Sequence, residues 1–484
     1  MNRSTMNCSN LKHSSMNRST TKHSLLTYGF LALMTIALAG CGGGSTSNTQ
    51  PSGNSQGAMF VTGEDAPVSS VVAFNITIDK ITLSNSTSTV TALSTPVAVD
   101  FGRLVGLRSL LGFNTIAAGT YTSATITFEA TNPAPTVNYV DVTTTPPSIG
   151  TATGVLSTST VTVRFPSGKP LVVASNVLAG LHMDFDLRTS LAIDGSGNLI
   201  INNGQIAITP QVDVMAVSAS DEEGQITDFT GNVVSVNTAA NTFVMQGPYG
   251  FQETIDVNAS TQYNGSNSLS SLMANGIVSV EGTVQADGSI LAGSVELVTT
   301  DKAFIGGRIL AVTPGPVVTM FVGEELGTSA SIPADSVYTV DLTAVSRYDI
   351  CFIDNWFTGE LFNSTSLVVG QRIFVGGTYM SNAFTPDMVS LRRQGVMGSL
   401  VANSVNIVSG NQGSFQMQND ALMSYSAGGP FTVFTVGQTI FVNIDGLSGL
   451  QAAGATNLEA RGLVFQDPVS KKPVVWAHRV RVLQ

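Results

Sequence analysis

The chain is 484 residues long, enough for several domains, and it is acidic, with 21 Lys and Arg against 32 Asp and Glu. This charge balance argues against nucleic acid and anionic lipid headgroups as partners. Charged residues make up only 11% of the chain, and Gly, Ser, Thr, Asn and Val are abundant. Such a composition is typical of a weakly charged, β-rich protein.

The first 40 residues have the features of a secretory signal. Four basic residues and no acidic residue precede a mostly apolar run over 25–38, which ends in the small residues Ala39 and Gly40. This run is shorter than the roughly 20 residues that a membrane-spanning helix needs. The pentapeptide that begins at Met1 recurs at Met16. Translation from Met16 would leave a signal of normal length, so we interpret residues 1–15 as a gene-start error or a harmless extension.

The end of this signal, Leu38-Ala39-Gly40-Cys41, resembles the lipobox of bacterial lipoproteins. The resemblance implies a diacylglyceryl thioether on Cys41, cleavage before it and an acylated new N-terminus, which together would anchor the chain firmly. The alternative is an ordinary signal with a chance cysteine at its junction. Residues 41–57 then form a Gly- and Ser-rich tether. By analogy with lipoprotein sorting, Gly42 predicts attachment to the outer membrane. After cleavage only Cys41 and Cys351 remain, and because Cys41 carries the lipid, Cys351 has no disulfide partner.

Residues 58–218 alternate between strand and turn patterns, which predicts an antiparallel β-sandwich. We expect Val72, Phe74, Ile76 and Ile78 to share one buried face of the strand over 71–83. A hairpin turn is expected at 194–198, and one helix is expected over 104–111. The remaining strands are predicted over 121–128, 161–165, 171–174, 187–193, 199–201, 205–209 and 212–214.

Several blocks of this segment together resemble a known family. They are 60–62 with Asp65-Ala66-Pro67, the strand over 74–83, 110–112 leading to 119–121, and 183–187 running on to 208–210. The family is a β-domain of unknown function, carried by bacterial lipoproteins, whose members open with an Asp-Ala-Pro strand. The resemblance covers roughly 58–218 and transfers no catalytic residue.

Three diverged repeats follow, over 224–300, 303–394 and 395–484. Their spacing is too long for a solenoid of 20–50-residue repeats. Each has about five strands, which predicts three small closed β-barrels. Their order resembles tandem OB-like domains of unknown function behind the Asp-Ala-Pro domain. A Gly-Gln-x-hydrophobic-x-Val motif supports this resemblance in the second repeat, at Gly370, and in the third repeat, at Gly437. The motif is missing from the first repeat. The predicted fold class is therefore all-β, a sandwich followed by three OB-like barrels.

Few residues of this chain are suited to chemistry. His182 and His478 fall in different predicted domains, and no familiar catalytic motif is present. Asp184 and Asp186 share one strand face and could hold a hard cation, or they could simply form a polar strand face. A hydrolase using these two carboxylates with a metal is the alternative to a protein without catalysis, which we expect.

An aromatic-rich stretch interrupts the second repeat between 341 and 366. It contains Tyr348, Phe352, Trp356 and Phe357, with Cys351 among them. Exposed aromatic side chains often dominate binding surfaces, so these four could bind a partner. Alternatively, the stretch folds over its own barrel and plugs it, and Cys351 is then a buried small hydrophobe.

These features predict a membrane-anchored lipoprotein of the cell envelope, on the outer membrane, with a structural, adhesive or glycan- or protein-binding role. The expected partners are the membrane, through the N-terminal lipid, and a polysaccharide or another envelope protein. No cofactor, metal or nucleic acid is expected.

Overall fold

The part of the chain that the structure describes folds mainly into β-sheets, which confirms the all-β prediction. The structure, a computed structural model, describes residues 55–483 apart from 67, 69, 105–106, 142–143, 145–146, 195–197, 248–249, 265–266, 300–302, 329–331, 352–360, 420–429, 455–456 and 468. Within these residues no helix is long and apolar enough to cross a membrane.

The first domain is a sandwich of a four-stranded and a nine-stranded sheet. Its strands are β1 (Gln56–Ala66), β2 (Val71–Ser84), β3 (Thr89–Leu93), β4 (Val97–Asp100), β5 (Ser109–Ala117), β6 (Gly119–Tyr121), β7 (Ser123–Phe128), β8 (Thr136–Asp141), β9 (Ser148–Leu156), β10 (Thr160–Arg164), β11 (Leu171–Val173), β12 (Ala179–Asp186), β13 (Ile201–Asn202), β14 (Gln205–Ile208) and β15 (Val212–Val217). The four-stranded sheet has the order β15-β12-β1-β5, and β6 and β11 form a separate two-stranded sheet. In the core between the sheets, the ring of Phe101 stacks on that of Phe185, and the ring of Phe74 packs against Phe185 at a tilt.

Most strand pairings in this domain are antiparallel, as predicted, and two are parallel. β1 pairs with β12 in parallel, and β9 pairs with β14 in parallel. Each pair is joined by a long connection that includes further strands, and a parallel pair requires such a crossover. The central pair β1–β12 brings Glu64 and Asp184 side by side.

The buried face of β2 also differs from the prediction. Phe74, Ile76 and Ile78 lie in the sandwich core, whereas Val72 packs in a separate cluster against Leu310 and Phe321. A register shift near the start of the strand, between Val71 and Ala73, separates Val72 from the other three.

Two local predictions in this domain are wrong. The helix predicted over 104–111 is instead a 3₁₀ turn, Phe101–Arg103, followed by the strand β5. The strand predicted over 187–193 begins with a helical turn, α1 (Leu187–Ser190). In both places an aspartate ends the preceding strand and accepts a backbone hydrogen bond from the turn, Asp100 from Arg103 and Asp186 from Thr189. At the hairpin predicted around 194–198, Ile193 and Leu199 form an antiparallel bridge and Asp194 accepts a hydrogen bond from the Asn198 amide, while 195–197 lie outside the described residues.

Three further sheets of six strands follow. The first contains β16 (Gln225–Asn237), β17 (Thr242–Gln246), β18 (Gln252–Asp256), β19 (Gln262–Tyr263), β20 (Ile277–Val284) and β21 (Ile290–Thr299). The second contains β22 (Ala303–Thr313), β23 (Val317–Leu326), β24 (Ser336–Asp341), β25 (Arg347–Ile350), β26 (Arg372–Met380) and β27 (Ala383–Leu391). The third contains β28 (Gln394–Leu400), β29 (Asn406–Ser409), β30 (Gln412–Asn419), β31 (Phe431–Val442), β32 (Asn457–Gln466) and β33 (Pro473–Val482).

Two of these sheets close into barrels. In the first, β16 pairs with β17 and β20, and a parallel pairing of β18 with β21 completes the ring. In the third, β28 pairs with β30 and β32, and β31 pairs in parallel with β33. Among the described residues of the second sheet, β24 and β27 are not joined, so that sheet stays open there. The third domain also carries α2 (Gly446–Ala453) between β31 and β32.

The Gly-Gln motif does not mark equivalent strands. Gly370-Gln371 precedes β26, which pairs with the first strand of its domain. Gly437-Gln438 lies within β31, at the register break before that strand resumes its parallel pairing with β33. The strand that corresponds to β26 in the third domain is β32, which has no such motif. The sequence alignment of the third repeat on Gly437 is therefore wrong.

Candidate functional site

A buried cluster of charged side chains, the Glu64 network, lies where the sandwich meets the third barrel. Its members are Glu64, Arg108, His182, Glu222, Glu459, Arg461 and Arg479. Glu64 and His182 come from the neighbouring strands β1 and β12, and the last three members come from β32 and β33. The sheet register of each domain thus aligns acidic groups of one domain with basic groups of another.

Glu64 is the centre of this network. It is ion-paired with Arg461, and its Oε1 atom lies 3.1 Å from Nη2 of Arg479. Arg108 Nη1 and His182 Nε2 lie 3.8 and 3.9 Å from its other oxygen. Burial alone would raise the pKa of Glu64, but the three guanidinium groups hold this pKa well below its usual range. Burial lowers the pKa of His182 to about 4, so the ring is neutral at pH 7.

A second cluster, the Asp228 network, lies between the first barrel and the second sheet. Its members are Asp228, Ser279, Glu296, Glu324, Arg372 and Arg392. Arg392 is ion-paired with Asp228 and lies 2.7 Å from Glu296. Arg372 lies 2.5 Å from Asp228 and 2.9 Å from Glu324. Both guanidinium groups also lie over the ring of Phe374, Arg392 at 4.2 Å and Arg372 at 4.9 Å from its centre.

These two networks connect all four β-domains. The sandwich supplies Glu64 and Arg108 to the first network, and it supplies Arg103 to the second, 3.5 Å from Glu324. Removing one partner of a buried ion pair leaves an uncompensated charge and costs about 3–5 kcal/mol. Sliding or separating the domains would break several such pairs at once, so the arrangement holds the domains in one relative orientation.

The proposed metal pair Asp184 and Asp186 is divided between two structural tasks. Asp186 caps α1 by accepting a hydrogen bond from the Thr189 amide at 3.0 Å. Asp184 is largely buried, with Oδ2 3.8 Å from Nη1 of Arg481. Burial and the nearby Glu64 charge raise the pKa of Asp184 to about 8, so it is mostly protonated at pH 7. The described residues contain no group of three or more His, Cys, Asp or Glu placed to hold a metal ion.

The predicted aromatic surface lies mostly outside the described residues, which leave out Phe352, Trp356 and Phe357. Tyr348 is described, and it packs edge-on against Phe362 at 5.8 Å, beside the core of the second sheet. Cys351 is buried, with its sulfur 3.7 Å from a carboxylate oxygen of Glu296. Cys41 also lies outside the described residues.

Sequence reasoning missed both charge networks, although one signal was present. In a chain with 11% charged residues, Arg392-Arg393 and the alternating Arg479 and Arg481 interrupt apolar strands. Period-2 reasoning assigns such residues to solvent. Arg479 and Arg481 do lie opposite the barrel interior, beside buried Val480, but the sandwich covers that side. Arg392, Arg461 and Arg479 are among the most buried large side chains.

Two clefts lie at the domain boundaries. A groove of about 520 Å³ between the first barrel and the second sheet is lined by neutral polar and apolar groups, including Asn232, Asn275, Thr378 and Tyr379. A cleft of about 200 Å³ between the sandwich and the first barrel is lined by Glu253, by aromatic and aliphatic side chains, and by the polar residues Ser94, Thr95 and Asn114.

Comparison with known families gives two matches. The model of a domain of unknown function, DUF4382, matches residues 57–203, and that of another domain of unknown function, DUF5666, matches residues 223–296. No curated protein matches the chain. The sandwich and the first barrel are thus similar to two families of domains of unknown function, in agreement with the resemblance of residues 58–218 to such a domain.

Proposed function

We propose that this chain is a lipid-anchored bacterial lipoprotein of the cell envelope that acts by binding, without catalysis. In this proposal the sandwich and three OB-like domains form a rigid body that is attached to the outer membrane through Cys41. The observation that carries the binding role is the pair of buried charge networks. They fix the relative orientation of the domains, and they pair carboxylates such as Glu64, Asp228 and Glu296 with guanidinium groups, so that these carboxylates serve in structure.

The polar groove supports a saccharide or an uncharged part of an envelope protein as the ligand. Its amides, hydroxyls and aromatic ring, supplied by Asn232, Asn275, Thr378 and Tyr379, suit the hydroxyl groups and apolar faces of neutral sugars. Since the groove lies between two domains that the Asp228 network connects, its shape is set before a ligand arrives. Such preorganisation lowers the entropy cost of binding.

The anchor is tested by labelling cells with an alkyne analogue of palmitate. We expect the full chain to take up the label and Cys41→Ser to lose it. Cys351→Ser is the matched control, because it removes the buried cysteine of the β-body and is expected to leave labelling unchanged. Undiminished labelling of Cys41→Ser would refute lipidation at this residue.

The binding role is tested with a glycan array probed by the full chain in a non-ionic detergent. We expect Tyr379→Ala to lose glycan binding, and Thr319→Ala, a half-buried position outside the groove, to keep it. Equal glycan binding by the two variants would show that the glycan does not bind in the groove. A stoichiometric metal ion in the purified chain, lost in Asp184→Asn, would instead favour the hydrolase alternative.

A further inference from the structure

The first barrel carries a carboxylate on its apolar side. On β18, Glu253 falls on the same side as Ile255, which is fully buried in the barrel core, and it pairs across the ladder with buried Met245. Phe251 precedes it by two residues in the same phase. The side chain of Glu253 makes no hydrogen bond and no ion pair with the described residues. A polar group in such a place costs free energy unless a partner compensates it.

Glu253 faces the cleft between the sandwich and the first barrel. Two adjoining cavities, of about 200 and 30 Å³, share Leu110, Phe251 and Glu253 in their walls. An apolar protein cavity of about 150 Å³ can hold a molecule of the size of benzene, so the larger cavity has room for a small ligand. The carboxylate therefore borders a space that a ligand can enter.

Two aromatic rings line the same space. Phe251 is 44% exposed, although most phenylalanines of this chain are buried, and Phe113 enters from β5 of the sandwich. Phe113 is held against the turn at Gly288, where an added Cβ would lie 3.0 Å from the ring. Aromatic faces attract cations, and desolvation strengthens that attraction.

The electrostatics of the cleft favour a positive ligand. Burial raises the pKa of Glu253 to about 7, and no cationic side chain offsets this effect. The other charged residue in the cavity walls is Arg103, which lines the smaller cavity and has Nη1 3.5 Å from Glu324. A cation in the larger cavity would give Glu253 the counter-ion that the fold does not supply.

We propose that this cleft binds a small organic cation with an apolar body, with Glu253 as the counter-ion and Phe113 and Phe251 as the ring faces. The ligand class is an alkylated ammonium compound, quaternary or primary. This inference goes beyond the proposed function, and it holds whether or not Cys41 is lipidated or the polar groove binds a glycan.

The test is calorimetric and NMR titration of the full chain, in a non-ionic detergent at about pH 8, with choline, n-butylamine and 3,3-dimethylbutan-1-ol. The alcohol has the shape of choline without its charge. We expect at least one of the two cations to bind about tenfold or more tightly than the alcohol, as a desolvated charge pair should. The comparison of choline with n-butylamine separates a quaternary from a primary ammonium ligand.

The variants assign the roles of the residues. Glu253→Gln should abolish the preference for the cation over the alcohol, and Phe251→Ala should weaken cation binding by about twofold to tenfold. Asp79→Asn, an exposed position on β2, is the control and should bind like the parent chain. Cation affinity should fall as the pH drops below about 7, because Glu253 becomes protonated, and Glu253→Gln should not show this dependence.

Three results would overturn the proposal. They are no binding of either cation, affinity for the neutral alcohol equal to or higher than that for both cations, and undiminished cation binding by a folded Glu253→Gln chain. A circular dichroism melt of each variant identifies loss of fold, and Phe251→Ala, at an exposed position, provides a second variant with little risk to folding.

Discussion

Replacing Arg392 by methionine tests whether the buried charges hold the domains together. The Arg392 side chain is fully buried and ion-paired with Asp228 and Glu296, and it donates a hydrogen bond of 3.0 Å to Ser279. Methionine keeps much of the apolar contact with Phe374 but removes the charge. Glu296 is then left without its guanidinium partner, whereas Asp228 keeps Arg372.

The expected cost follows from this count of partners. Loss of one member of a buried ion pair typically costs about 3–5 kcal/mol, and the pair that Asp228 retains places Arg392→Met near the lower end, at about 3 kcal/mol. Because Asp228 and Glu296 belong to the first barrel and Arg392 follows β27 of the second sheet, the loss falls on the boundary between them. We therefore also expect the two domains to unfold less cooperatively, with a smaller urea m-value.

The assay is urea unfolding of the full chain in detergent, followed by circular dichroism. The matched control is Arg347→Met, which removes an arginine from β25 that is 52% exposed and paired with Asp349. A surface pair of this kind contributes about 0–1 kcal/mol. The double variant Arg392→Met/Glu296→Gln should recover part of the lost stability, since it neutralises the stranded carboxylate.

Equal destabilisation by Arg392→Met and Arg347→Met would refute this reasoning. So would a double variant less stable than Arg392→Met alone, because the Glu296 charge would then not be the source of the cost. An unchanged m-value with a full loss of stability would keep the energetic argument but contradict the role of Arg392 in coupling the domains.

Three further outcomes are expected. Burial raises the pKa of Asp184 to about 8, so the folded chain holds a proton there that the unfolded chain has lost. Between pH 6 and 8 the free energy of unfolding should therefore fall by about 2 kcal/mol more in the parent chain than in Asp184→Asn, and unfolding at a series of pH values measures this difference. Gly307→Ala should lower the melting temperature clearly, because its Cβ would lie 1.8 Å from a backbone oxygen, whereas Gly437→Ala meets no atom within 4 Å and should leave it unchanged or slightly higher. The thiol of Cys351 should react with a disulfide reagent far more slowly in the folded chain than in urea, and equal rates would contradict its burial.

The β-architecture could be predicted from the sequence because it depends on local alternation. The strand β2 illustrates both the success and its limit. Its apolar phase places Phe74, Ile76 and Ile78 in the sandwich core, as period-2 alternation requires. A bulge within β2 shifts the phase at one end, and Val72 serves a contact with Phe321 of a distant domain. Such a shift depends on the partner strand, which alternation within one strand cannot report.

The wrong helix over 104–111 has a similar cause. Leu104, Leu107 and Leu111 recur at helical spacing, and all three are buried. They are buried in an irregular turn and a strand, since Asp100 ends the preceding strand with a 3₁₀ turn and β5 must begin at Ser109 to pair with β1. A short apolar period fits either structure, and tertiary pairing decides between them.

The candidate sites could not be predicted because they are made between domains. On β32, Leu458 and Ala460 face the interior of the third barrel, so Glu459 and Arg461 point outward. In an isolated barrel these two charges would be hydrated, and the sequence pattern correctly describes that local preference. The sandwich covers this outer side with Glu64, and the same charges become buried partners. Apolar contacts alone are not directional. The charged side chains on the covered outer faces of the barrels therefore fix how neighbouring domains are oriented. Glu253 breaks this rule, because it is a charge on the inner side of a strand with no partner among the described residues. That exception is the reason to look for its partner outside the chain.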